Sequence, residues 1–224
     1  MKTNSSRGMI VLVLLCCALV ALIDGVIKPG YAVKSAAKLI LFGFVPVLYG
    51  RHAGMPLGDL FRMEKRALRQ IILFAAGLFI LILGGYFLLK DWLDLSSITS
   101  ALTENAGVSR EIFPIVALYI PLVNAALEEF FFRGFAFLTL RRCTSARFAW
   151  LFSALVFALY HVSILQGWFS PLLYGLAMAG LAVGGLLFNF LDSPSCSILP
   201  SYLVHMAANL AINTIGLILF GLIG

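Results

Sequence analysis

The sequence predicts an all-α protein, a polytopic transmembrane helical bundle of about seven to eight helices. Two observations carry that prediction. Of the 224 residues, 62% are hydrophobic and only 12% charged, a balance outside that of water-soluble domains. The apolar residues also fall into about seven runs near the roughly 20 residues that a helix needs to cross a bilayer core.

The first run, 9–27, follows Lys2 and Arg7, as a secretory signal peptide would. It reads as a retained helix, because no clean small-x-small cleavage site precedes Asp24 and the rest of the chain is polytopic. The second, 36–50, is short for a crossing and is tilted, re-entrant or extended at its start. The third and fourth are 70–89 and 112–133, with the fourth expected to continue past Gly134 to Arg141. The fifth, sixth and seventh are 148–167, 171–191 and 198–222. In the sixth, Gly175, Ala179, Gly180 and Gly184 offer a small-residue face for close helix packing. The longest polar loops, 52–69 and 90–111, leave no room for a soluble domain. Cys16 and Cys17 sit side by side in an apolar helix, with Cys143 and Cys196 in loops, which suits apolar filler better than a disulfide framework or zinc site.

Net charge is +6, yet its distribution points away from nucleic acid. Arg51, Arg62, Lys65, Arg66 and Arg69 flank spans two and three, and Arg141, Arg142 and Arg147 lie between spans four and five. By the positive-inside rule these loops and the N-terminus face the cytoplasm, and the C-terminus lies outside. Lys28, Lys34 and Lys38 then fall on the outer side against the rule. Within 57–69 the basic residues alternate at helical spacing with Leu57, Leu60, Phe61 and Leu68. That pattern fits a helix lying on an anionic leaflet, or a solvated loop with topogenic charge.

Charged groups inside a span cost at least about 2.5–3.5 kcal/mol each and tend to serve function. Glu128, Glu129, Arg133, His161, His205 and Asn209 are concentrated in the fourth, fifth and seventh spans. Glu129 and Arg133, four apart with the acid first, have the spacing of an ion pair. Glu128 is rotated about 100° from Glu129 and is left without that partner, so a carboxylate remains that can act as a base on water. His205 and Asn209 share a face and can both donate to an oxygen gaining negative charge. Counting residues from the span ends, these groups meet in the cytoplasmic half of the bilayer, if the fourth helix does run to Arg141. Asn124 and Asn213 read as polar lining or helix contacts. Ser163, Ser201 and Cys196 lack any G-x-S-x-G elbow or triad pattern around them.

EEFFFR (128–133), FALYH (157–161) and HMAAN (205–209) resemble the E-E-x-x-x-R, F-x-x-x-H and H-x-x-x-N/D signatures of the CAAX-protease and bacteriocin-processing (CPBP, or Abi) family of intramembrane proteases. The resemblance runs from about 112 to 213, in order and on three helices. It implies a division into N-terminal transmembrane helices with a cytoplasmic-side amphipathic segment (1–110) and a catalytic helical core (111–224). It further implies an intramembrane glutamate protease in which Glu128 activates a water held with His161, and His205 with Asn209 stabilises the tetrahedral intermediate. Glu129 and Arg133 would support the site. No cofactor is expected on this reading, whereas a zinc-dependent reading would place the metal on Glu128, His161 and His205. A third reading is a non-catalytic immunity or scaffold protein; a transporter is disfavoured because no internal repeat is evident. The implied partners are a membrane-associated protein or peptide substrate and the lipid bilayer, with no nucleic acid. The implied location is a bacterial cytoplasmic membrane.

Overall fold

The protein is described from a computed structural model covering residues 3–62, 65–93, 95 and 97–224. Among these residues there are eight long or medium helices and no strand. Helix α1 runs Thr3–Leu22 and continues as a π-helical turn through Ile23–Ile27. Helix α2 is Tyr31–His52, α3 Lys65–Leu89, α4 the short Ser97–Ala106, and α5 the 30-residue Phe113–Arg142. Helices α6 (Ala146–Ile164), α7 (Pro171–Asp192) and α8 (Leu199–Leu219) complete the bundle. All but α4 include a stretch long and apolar enough to cross a membrane, so this is a multi-pass membrane protein. The second span is extended at its start, to Tyr31, and the fourth does continue past Gly134.

Proline placement explains much of the irregularity in α5. Pro121 sits inside the helix, where it removes one backbone donor and crowds the preceding turn. The chain answers with π-helical hydrogen bonding over Ile120–Asn124, a local adjustment that spares the rest of the span from unpaired backbone. A second π-helical stretch, Glu129–Thr139, carries the signature arginine, and the Thr139 hydroxyl donates to the Gly134 carbonyl at 2.8 Å. Ser145 starts α6 as an N-cap, its hydroxyl accepting from the Phe148 amide.

The core lies among α1, α2, α5 and α6. Phe42 stacks on Phe131 at 4.2 Å, and Phe132 meets Phe157 and Tyr160, so the three phenylalanines after the glutamate pair fill the bundle and carry no chemistry. Helix α1 is part of this core through Met9, Val13, Cys16 and Val20. Helix α3 packs chiefly on α8 and turns Ile80, Leu81 and Leu88 outward.

One of the two alternatives for 57–69 is ruled out, and the close helix contact on the sixth span falls beside its glycine face. Residues 57–69 do not form one surface helix: a 3₁₀ turn, Leu57–Phe61, is followed by extended Arg62, and α3 begins only at Lys65. Leu60 is fully buried there because its carbonyl accepts from the Ile198 amide at 2.9 Å and the Ser197 hydroxyl at 3.1 Å, which draws the segment inward as a plug. The side chains of Lys65 and Arg66 lie outside the described residues. On α7, Gly175, Gly180 and Gly184 have open space beside them, and the close contact falls to Gly185, where a Cβ would stand 3.1 Å from the Cα of Ala154. The small residue that matters is the one facing α6.

Candidate active site

Helices α5, α6 and α8 bring the three signature segments to one place. Glu128 lies at the middle of α5, 15 residues from Phe113 and 14 from Arg142, about 22 Å from either end. A cavity of about 190 Å³ has Glu128, His161, His205 and Asn209 among its lining residues. All four expected chemical residues therefore share one pocket, and the supporting pair stands behind it.

On the cavity side, both the Tyr160 hydroxyl and the Asn124 amide donate to Glu128 Oε1 at 2.8 Å. The Lys38 ammonium lies 3.9 Å from the same oxygen, donates to Asn124 Oδ1 at 3.3 Å and sits over the Tyr160 ring. Oε1 is thus fully engaged. Oε2 is the oxygen left for chemistry, and it faces His205 Nε2 at 3.9 Å. A water off the line between those two atoms reaches both within hydrogen-bond distance.

Behind the cavity, Glu129 and Arg133 are fully buried, with Nε 3.3 Å from Glu129 Oε2. The guanidinium lies over the ring of Phe157 at 4.0 Å and that of Phe188 at 4.9 Å. Glu129 has a second task that its spacing from Arg133 did not reveal: its Oε1 lies 2.7 Å from His205 Nδ1. An ionised carboxylate can only accept, so Nδ1 carries the hydrogen and Nε2 is turned to the cavity. The ring also stacks on Phe188 at 5.2 Å. His161 is fixed in the same sense, donating from Nδ1 to the Phe157 carbonyl at 2.8 Å and leaving Nε2 available. Asn209 makes no side-chain hydrogen bond among the described residues, so its amide is free to donate into the cavity.

Reasoning from sequence missed Lys38 and Tyr160. Lys38 was read only as an outer-side charge that breaks the positive-inside rule. Tyr160 carried a usable signal, since a phenol inside a span needs a partner. Asn124, assigned to lining, is a direct partner of Glu128. Asn213 is a helix contact, donating to the Ala117 carbonyl at 2.8 Å. Ser201 serves Asp192, its hydroxyl donating to Oδ2 at 2.7 Å, and is not poised as a nucleophile.

Glu128, His161 and His205 do not form a ready zinc cage: among the described residues no three His, Cys, Asp or Glu side chains stand close enough to hold a metal ion. The cavity does not extend toward the basic loops. It runs from mid-bundle to the opposite end, where Lys28, Asn105, Gln166 and Trp168 form its rim.

Residues 110–211, slightly under half of the chain, match the family described as type II CAAX prenyl endopeptidase Rce1-like. No curated protein and no solved structure matches the chain.

Proposed function

We propose, for a chain whose residues 110–211 are of the CAAX-protease family, that its CAAX-type intramembrane endopeptidase activity is that of a glutamate protease acting through Glu128. The observation that carries the reading is Glu128 Oε2, unengaged and 3.9 Å from His205 Nε2, on the wall of a mid-bundle cavity. Water held between these atoms, with His161 Nε2 nearby on the same wall, gives up a proton to Oε2. The hydroxide forms a bond to the scissile carbonyl carbon, and the carbonyl π pair moves to oxygen. Asn209 donates to that oxyanion. His205 does so as well when its ring is protonated at both nitrogens, with Nδ1–H still held by Glu129. Collapse of the intermediate breaks the C–N bond, and the proton on Glu128 passes to the departing amine. No covalent enzyme intermediate forms. A positioned base contributes about 10²–10⁴-fold and an oxyanion donor about 10²–10³-fold.

Lys38, Tyr160 and Asn124 act through Glu128 as positioning residues, fixing which oxygen meets the water. The substrate is a membrane-associated protein or peptide, and the location a bacterial cytoplasmic membrane. Glu128→Gln keeps the shape and removes the base. Purified wild type should cleave membrane-peptide substrates that Glu128→Gln leaves intact. Cleavage by the variant at the wild-type rate would refute the assignment, and loss of wild-type activity to a strong chelator, restored by zinc, would replace carboxylate catalysis with metal catalysis.

A further inference from the structure

The two ends of the bundle differ in charge and in access. Ten of the 16 Lys and Arg residues belong to the N-terminal segment, 51–69 and 141–147. The chain alternates direction through the seven spans, so these segments lie at one end of the bundle. Contacts across that end agree: Leu60 meets Ile198, and Arg141 donates to the Ser193 carbonyl at 3.4 Å. The other end holds four basic residues, Lys28, Lys34, Lys90 and Arg110. It too is knit across, by Ser97 to the Trp168 carbonyl at 2.7 Å and Arg110 to the Gly221 carbonyl at 2.8 Å. An asymmetry of ten to four in short loops is a strong orienting signal, with the basic end cytoplasmic.

Access runs the opposite way. At the basic end, Leu60 of the 3₁₀ turn lies so close to Gly134 that a Cβ there would stand 3.0 Å from it, and the cavity beside that turn, with Arg51, Leu57, Phe61 and Phe130 in its lining, reaches none of Glu128, His161, His205 and Asn209. The catalytic cavity rises from Glu128 to the rim at Lys28, Asn105, Gln166 and Trp168. The lysines that break the charge rule explain themselves here. Lys34 pairs with Asp24 at 3.6 Å and also donates to the Asn105 carbonyl at 2.9 Å, Lys38 pairs with Glu128, and Lys28 donates to Asn105 at 3.0 Å. They are parts of the cavity wall and rim.

We infer that the cavity opens on the non-cytoplasmic face, so that the enzyme takes membrane-anchored peptides presented from outside the cytoplasm and not prenylated C-termini held at the cytoplasmic leaflet. This rests on the peptidase reading for its substrate and on topology alone for its direction. The two parts are tested separately. In bacterial cells expressing the chain with Cys16, Cys17 and Cys143 changed to Ala, two reporters are compared. One keeps the exposed native Cys196 at the basic end; the other has Cys196→Ala and Gln166→Cys at the rim. A membrane-impermeant maleimide should label the rim cysteine in intact spheroplasts and Cys196 only in inverted vesicles. The reverse pattern overturns the inferred direction while leaving the peptidase reading intact. In the cleavage arm, a fluorogenic lipid-anchored peptide added to the outside of spheroplasts should be cut by wild type and not by Glu128→Gln, and a prenylated peptide loaded on the outside of inverted vesicles should survive. Cleavage of the second and not the first overturns the substrate class. Failure of detergent-solubilised wild type to cut either peptide, with the labelling as expected, sinks the peptidase reading and leaves the direction standing.

Discussion

On the cavity side of α5, Glu128 meets a phenol, an amide, an ammonium and an open space; one residue later, the fully buried Glu129 meets a guanidinium and an imidazole. The two carboxylates are chemically identical and differ only by one step of helix rotation. What separates them is whether an oxygen is left over: Glu128 keeps one, whereas Glu129 has one oxygen against the Arg133 guanidinium and the other against the His205 ring. The same dipeptide therefore supplies a reactive group and a scaffold.

The largest expected effect breaks the cavity side. Glu128→Gln should lower single-turnover cleavage by about 10²–10⁴-fold with thermal unfolding in detergent unchanged. A variant that unfolds would make Glu128 structural and erase the contrast. Arg133→Ala attacks the dry side and should cost about 3–5 kcal/mol of stability in a denaturant titration, because it strands Glu129 in a buried site. If that variant folds normally and is inactive, Arg133 belongs with the reacting groups. Tyr160→Phe sharpens the boundary: loss of one hydrogen bond to a charged group, about 1.5–3 kcal/mol, should appear in kcat with KM unchanged, since Tyr160 acts only through Glu128 Oε1. An effect on KM alone would move Tyr160 to substrate binding. The smallest effect lies away from both sides. Gly185→Ala should overpack the α6–α7 contact by about 1–3 kcal/mol while Gly180→Ala is near neutral, read by unfolding of the two variants.

The seven crossings were legible because each is a run of apolar residues, and lipid demands runs. The signature residues were legible because intramembrane charge is rare and is concentrated in three spans. What could not be read was the interior arrangement. Glu129 binding His205 joins residues 76 apart in sequence, and spacing along one helix says nothing about which face of another it meets. The direction in which the cavity extends was not legible, because residue counting from apolar edges places each helix separately. The plug at Leu60 was misread for a related reason: its alternation of basic and apolar residues is the same whether a segment lies on lipid or tucks a leucine beneath Ile198.

The packing of α1 against α6 has a consequence for how the protein is made. Some 120 residues separate the end of α1 from the start of α6, so at ribosomal rates of about 5–20 residues per second the first helix waits in the bilayer for roughly 6–25 s before its neighbour emerges. It can wait because the surface it will bury, Met9, Val13 and Val20, is as lipid-compatible as the one it keeps exposed. Its one buried acid, Asp24, is joined within ten residues of further synthesis by Lys34. Membrane insertion can thus proceed helix by helix, with the charge of the growing chain already matched before the bundle closes.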